Sequence, residues 1–422
     1  MHELLGRADV LAAQREHLGP GGSLLAELIG APIEDAASGA IVTTPEGDEY
    51  IDCGGYSVFL HGHSHPRVVE AVVDQVRRRA LATRLLIDPV TVQAAQRLAD
   101  VVPDHLRRVK FANSGAEATE VAIKLARLNG RSRMITTRGG YHGKTTGALS
   151  VTPTAKYQEP FGQLLPAEVV EYGDIEALRT ALDAAPHGTS AFIVEPIQGE
   201  AGVQVPPAGY LEGVSRLCRE AGALLIVDEI QTGMGRCGTT WAHPAECRPD
   251  IMLIGKALSG GVVPCSAIVA TESAFGALNQ DPGLHSSTFA GGPIQAAAIC
   301  AAVDVMVDED LPAAAAKTGK RLVDGIRSFA AEHPEAGIRD VRGAGVLIGV
   351  EFSSPLQVAE MIAELLARGV IVNHSLNSSG VLRLTPPAVL TEEQCERVLA
   401  AFAAAATSPG VVVDPQTIGN GA

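Results

Sequence analysis

At 422 residues the chain exceeds what one hydrophobic core usually fills, so two subdomains are expected. Its formal charge of −15 argues against nucleic acid or an anionic membrane as partner, because phosphate neutralisation needs a basic face. The seven cysteines are widely spaced with no CxxC pair, which suggests neither a disulfide frame nor a zinc site and fits a reducing cytoplasm.

Residues 1–10 mix His, Glu, Arg and Asp with apolar side chains, so no signal peptide is expected, and no apolar run is long enough to span a bilayer. An amphipathic stretch at 10–14 precedes a turn expected at 19–22. Residues 39–43 and 49–52 then alternate as two strands about a Pro45-Glu46-Gly47-Asp48 turn. His61, His63 and His65 stand at alternate positions with no acid or cysteine beside them in sequence, a pattern of capping and loop residues rather than metal ligands. Pro66 opens a helix with a stripe of Val68, Val69, Val72, Val73 and Val76.

A short strand at 108–111 leads into Asn113-Ser114-Gly115-Ala116 and a helix with Val121, Ala122, Leu125 and Leu128 on one face, stopped by Asn129-Gly130. Ser114, Gly115 and Ala116 at this turn leave backbone N–H groups free at the positive end of the helix dipole. That is a phosphate seat, or simply a helix cap. Beyond a strand at 133–137, Tyr141 is placed either to stack on a flat cofactor or to sit on the surface beside a glycine turn.

Three apolar runs follow, and each ends in a reactive side chain: 191–194 at Glu195, 223–227 at Asp228, and 251–255 at Lys256. Unbroken runs of this kind are strands buried on both faces in a parallel sheet, where ligands bind beyond the carboxyl ends. Burial there lowers the pKa of Lys256 and frees its amine to form an imine with a carbonyl. Asp228 on the adjoining strand can hold a positive charge on a heteroaromatic nitrogen. Those are the two needs of pyridoxal phosphate. A polar loop at 284–293 precedes an Ala-rich helix. Beyond about 320 the pattern becomes α+β: strands at 346–350, 370–372 and 381–384, a helix at 358–368 stopped by Gly369, and a last helix with a Thr391/Gln394 capping box. The tail from Ser408 is expected to be poorly ordered.

The segments 113–118, 141–143, 195–200, 228–233, 255–261, 287–289 and 382–387 together resemble the class III pyridoxal-phosphate-dependent aminotransferases of fold type I, over nearly the whole chain. The resemblance implies an α/β fold. Its large domain, 56–320, has a mostly parallel sheet flanked by helices, and a smaller α+β domain forms from 1–55 and 321–422. It implies that Lys256 carries the cofactor as an imine, Asp228 pairs with the pyridine nitrogen, and Gln231 lies near the ring hydroxyl. Ser114, Gly115 and Ala116 hold the phosphate with Thr288 from a partner subunit of a homodimer or dimer of dimers. Tyr141 stacks on the ring, and His142 and Glu195 complete the cofactor set. Arg383 clamps the carboxylate of a 2-oxo acid, Glu200 covers that arginine while the amine donor is bound, and Lys144 and Tyr56 line the substrate side.

Ornithine- and 4-aminobutyrate-type members carry arginine at the place of Lys144, and ornithine-type members a tyrosine at the place of Leu28. These departures, with segments 50–55, 142–150 and 375–377 similar to putrescine aminotransferases, lead to the expectation that a terminal diamine such as putrescine or cadaverine gives its amine to a 2-oxo acid, 2-oxoglutarate first. The alternatives are amination of a terminal aldehyde of a larger intermediate, or an ornithine/4-aminobutyrate-type reaction. An aminomutase, racemase or decarboxylase on the same fold stays open, because cofactor residues alone do not fix the reaction. A nucleotide-binding module is the other rival; it lacks G-x-G-x-x-G and Walker spacing and leaves Lys256 idle. Gly292 departs from the family's usual asparagine.

Overall fold

The computed structural model describes residues 6–408. Its centre is a seven-stranded sheet in the order Arg108–Ala112, Ser266–Ala270, Ile251–Ile254, Leu224–Asp228, Ser190–Val194, Arg133–Thr137, Ala167–Val170. Ser266–Ala270 runs antiparallel to both neighbours, and the other pairs are parallel. The three strands read as doubly buried runs are buried at every position, since helices cover both faces. Register aligns their carboxyl ends: Val194 pairs with Val227, and Asp228 with Leu253. Glu195, Asp228 and Lys256 therefore emerge along one rim.

The helix Gly115–Leu128 buries Ala118, Val121, Ala122 and Leu125 against this sheet, while Leu128, expected on the same face, is exposed at its end. Likewise only Val68 of the valine stripe in Pro66–Arg78 is fully buried, and Val73 and Val76 face outward. Pro293–Asp308, apolar nearly all round, lies between Pro66–Arg78, Pro89–Val101 and the core.

The chain's two ends share a second core. Ala36–Ser38, Ile41–Thr43 and Glu49–Asp52 form an antiparallel set, and Val370–Ile371 adds to it in parallel, with Val370 opposite Ile51. Ile51 and Cys53 pack with Val350, Leu382 and Phe402. A second small sheet holds Ile338–Ala344, Leu347–Phe352, Ser378–Leu384 and Asn373–Ser375. The helix Leu311–Glu332 spans both cores, with Ala315 in the first and Leu322 in the second.

Residues 19–22 are not a free turn. Pro20 starts the helix Pro20–Leu28, and Gly21 and Gly22 occupy its first turn, where N–H groups lack helical acceptors anyway. The histidines bond within the fold: His61 Nε2 to Ala302 O, His63 to Asp52, and His65 to Glu309. The Thr391 capping box forms as read. Residues 409–422, most of the tail expected to lack order, lie outside the described residues.

Candidate active site

Lys256 follows Ile251–Ile254 after one glycine and takes a left-handed backbone, φ +47°, which few non-glycine residues adopt. Its side chain faces a cavity of about 250 Å³ whose walls include Gly115, Ala116, Tyr141, His142, Glu195, Asp228 and Gln231. Burial pushes the amine down from 10.5 to about 8; Glu200 and Arg383 pull in opposite senses, the carboxylate up and the guanidinium down.

Asp228 ends its strand with both carboxylate oxygens engaged. Oδ1 accepts the Ile230 N–H at 3.0 Å, and Oδ2 accepts His142 Nδ1–H at 2.7 Å. Burial alone would lower the His142 pKa, but the hydrogen bond and charge of Asp228 reverse this, so it ends above its usual value. His142 Nε2 is then a buried polar atom with no partner. Glu195 accepts the Tyr141 backbone N–H at 2.9 Å, and burial raises its carboxyl to about 8. Tyr141 is partly buried, its phenol raised chiefly by burial.

At the start of Gly115–Leu128, the Ser114 hydroxyl accepts the Glu117 N–H at 3.2 Å, while the N–H groups of Gly115 and Ala116 have no helical acceptor. Gly143, φ +118°, lets the Tyr141 loop lie directly on this turn, since a Cβ there would come within 2.6 Å of the Ala116 Cβ. Gln231 donates to the Ser57 hydroxyl at 3.2 Å. Its Oε1 leaves no room at Gly199, where a Cβ would lie 2.1 Å away.

Arg383, on Ser378–Leu384, is buried beside Glu200: Nη1 and Oε1 are 2.6 Å apart, yet no guanidinium nitrogen has an aligned hydrogen-bond acceptor. Burial pushes the Glu200 carboxyl up, and Arg383, Lys256 and the Leu376 N–H bring it below its usual range. Tyr56 presents its ring 6.0 Å from the Arg383 Cζ, on a loop where Tyr56 and Ser57 are both left-handed. Lys144 is exposed at the mouth, its Nζ 3.9 Å from the Tyr157 ring centre and 5.8 Å from that of Tyr141. Thr288 does not line its own chain's cavity. It is exposed, and Arg84 Nη2 donates to the carbonyls of Thr288 and Ala290, both at 2.8 Å.

The sequence reading did not single out Ser57, Tyr157 or Arg84. Tyr157 sits in the short helix Ala155–Gln158, which carries no motif, and Arg84 acts over a sequence distance that no local pattern reveals. Gly292 caps Pro293–Asp308 with no side chain, and Gln295 Oε1 accepts the neighbouring Gly291 N–H instead.

Against known families, residues 31–406 match the family described as Aminotransferase class-III. The chain is a class III aminotransferase. Its fold is that of fold type I, as in the ornithine aminotransferase of Toxoplasma gondii, with TM-score 0.87, 34% identity, and 96% of this chain and 95% of that one covered. The acetylornithine aminotransferase of Elizabethkingia anophelis matches at 33% identity and TM-score 0.77, covering 89% of this chain and 93% of its own. An (S)-enantioselective ω-transaminase from Thermomicrobium roseum matches at 28% and 0.86, covering 96% and 99%. Class III aminotransferases use pyridoxal phosphate, and the Toxoplasma enzyme holds it at partial occupancy at its active site. The aminotransferase's cavity fits that group. It offers unpaired N–H groups at a helix start for a phosphate, a buried acid for a ring nitrogen, and a lysine with a lowered pKa for an aldehyde. Among the described residues no helix is long and apolar enough to cross a membrane, and all seven cysteines are free.

Proposed function

We propose that the enzyme is an ω-aminotransferase that moves a terminal amino group to a 2-oxo acid, with 2-oxoglutarate as the first acceptor to test. The observation that carries this is the nearness of two devices: Lys256 and Asp228 lining one cavity for the chemistry, and Arg383 masked by Glu200, both acting on the Lys256 amine, for exchange of substrates. Pyridoxal phosphate, when bound, supplies an aldehyde that takes up the amine and a ring that withdraws electrons from the amine-bearing carbon.

Ser114, Gly115 and Ala116 would seat the phosphate, Tyr141 would cover the ring, and Gln231 would lie by its hydroxyl. Asp228, oriented by His142, would keep the ring nitrogen protonated. Glu195, largely protonated at pH 7, adds no second negative charge beside Asp228. Lys256 Nζ, its amine held below its usual pKa by burial, would be the base that takes the proton from the donor carbon. Glu200 holds Arg383 while the donor is bound and releases it to the carboxylate of the acceptor.

For the donor, Lys144 decides between readings. An ammonium held over Tyr157 at the cavity mouth repels the second ammonium of putrescine or cadaverine and attracts a carboxylate. The geometry therefore favours a donor of ornithine or 4-aminobutyrate type over a diamine. The diamine is the second reading, favoured because Lys144 is an exposed point charge that can swing aside and cannot grip a carboxylate with a fork. A panel of ornithine, 4-aminobutyrate, putrescine and cadaverine, scored by glutamate formed from 2-oxoglutarate, separates them. Putrescine winning on kcat/KM would overturn the first reading.

A homodimer is part of the proposal. Leu85, Leu86 and Ile87 are largely exposed, as is Phe289, and Arg84 ties their neighbourhood to the Thr288 loop. Such a patch, beside a threonine with no place in its own cavity, suits burial against a second copy. Light scattering giving a monomer would refute it.

A further inference from the structure

At the opposite ends of the catalytic strands lies a larger cavity, about 440 Å³, bordered by Arg131, Arg219, Arg248, His105 and Asp250. Its floor is where Leu224–Asp228 and Ile251–Ile254 begin: the Leu225 N–H donates to Asp250 Oδ2 at 2.9 Å, and the Asp250 N–H to Leu225 O at 2.9 Å. Asp250, the one carboxylate bordering the cavity, has Oδ2 committed to the backbone, and its charge also acts on Arg131 and His105.

The three arginines come from three places: Arg219 near the end of the helix Tyr210–Glu220, Arg131 after Gly115–Leu128, and Arg248 before Ile251–Ile254. Among the described residues none of them forms an ion pair, although the chain has 48 acidic against 33 basic residues. Arg131 spends Nη1 and Nη2 on the carbonyls of Asn129 and Gly222, and its Nε is shut from water with no partner. His105 donates Nε2–H to Pro249 O at 3.0 Å, which leaves Nδ1 an acceptor, also buried and unpartnered. A pocket of ligand size bordered by three guanidinium groups without an ion-pair partner, against a single carboxylate, describes an anion site with room for an organic body.

We propose that this cavity binds a small phosphorylated metabolite, its phosphate gripped by Arg219 and Arg248 beside Arg131. Guanidinium forks match phosphate and carboxylate oxygens alike two at a time, and a phosphate, with about −1.5 to −2 charge at pH 7, is held more strongly by several of them. The site is independent of the donor reading above.

The test uses cofactor-saturated enzyme and three probes, ribose 5-phosphate, ATP and inorganic phosphate, titrated calorimetrically at matched ionic strength. Ribose 5-phosphate or ATP should bind saturably and more tightly than inorganic phosphate, because only they carry a body that fills the cavity. The Arg219→Ala/Arg248→Ala double variant should weaken that binding at least about tenfold while leaving transamination without probe unchanged. Both arginines are exposed, so the variant should fold. The proposal is overturned if no probe saturates, if the double variant binds as well as the parent, or if the probe acts only by expelling the cofactor, seen as loss of its visible absorbance.

Discussion

The lowered pKa of Lys256 sets a measurable rate. At pH 7 an unperturbed lysine, 10.5, is neutral in about one molecule in three thousand, whereas at about 8 it is neutral in about one in ten. Capture of pyridoxal phosphate by the apoenzyme needs the neutral amine, so it should run roughly 300-fold faster at pH 7 than with an unperturbed lysine of equal access. Stopped-flow absorbance between about pH 6 and pH 10 should show the rate rising about tenfold per pH unit and then levelling near pH 8. A rate still climbing tenfold per unit near pH 9.5 would refute the reasoning. The same shift appears in stability. Below pH 8 both the folded and unfolded chains hold the proton, and the folded one bears the full cost of a buried ammonium. Between 8 and 10.5 only the unfolded chain keeps the proton, so the cost fades as pH rises, and above 10.5 it is gone. Lys256→Ala should therefore stabilise the apoenzyme by up to about 3 kcal/mol at pH 7, and by progressively less toward pH 10.5, in urea unfolding.

Glu200→Gln removes the partner of a buried guanidinium and should lower unfolding stability by about 3–5 kcal/mol; a loss below about 1 kcal/mol would mean that Arg383 is satisfied otherwise. Because Glu195 is largely protonated at pH 7 and half ionised near pH 8, Glu195→Gln should match the parent's rate at pH 7 and diverge from it as pH rises through about 8, as a pH–rate profile shows. Asp228→Asn should slow the donor half-reaction, followed in a single turnover, at least about a hundredfold if, as proposed, its charge faces the cofactor's ring nitrogen. Lys144→Ala should cost carboxylate-bearing donors a few-fold in kcat/KM and raise the diamines, whereas removing a spectator lysine would change neither.

The rim of acids and lysine was legible because a strand buried on both faces must be apolar throughout, so the first polar residue after it marks where the sheet ends and solvent or ligand begins. Glu195, Asp228 and Lys256 all stand at such breaks. Ser266–Ala270 was not legible: it is as apolar as its neighbours, but its antiparallel place between two strands distant in sequence is a tertiary fact. Ala167–Val170, an edge strand with mostly open positions, gave no period at all. The valines at 73 and 76 misled for a related reason. Periodicity tells which residues share a face, but not how far a neighbouring helix extends to cover it. In the site, Arg383 and Glu200 were each recognisable, but Tyr157 beneath Lys144 became visible only once a short helix brought it there.

The pairing of Val370 with Ile51 joins residues more than three hundred positions apart, and Arg383 belongs to the unit that this pairing completes. On the ribosome, the sheet bearing Asp228 and Lys256 is synthesised entirely before the last strand of that unit emerges. A chain cut short after the sheet could keep Lys256 but would lack Arg383, the residue proposed above to receive the second substrate's carboxylate. On that reading, late closure of the two ends makes full translation a precondition for turnover.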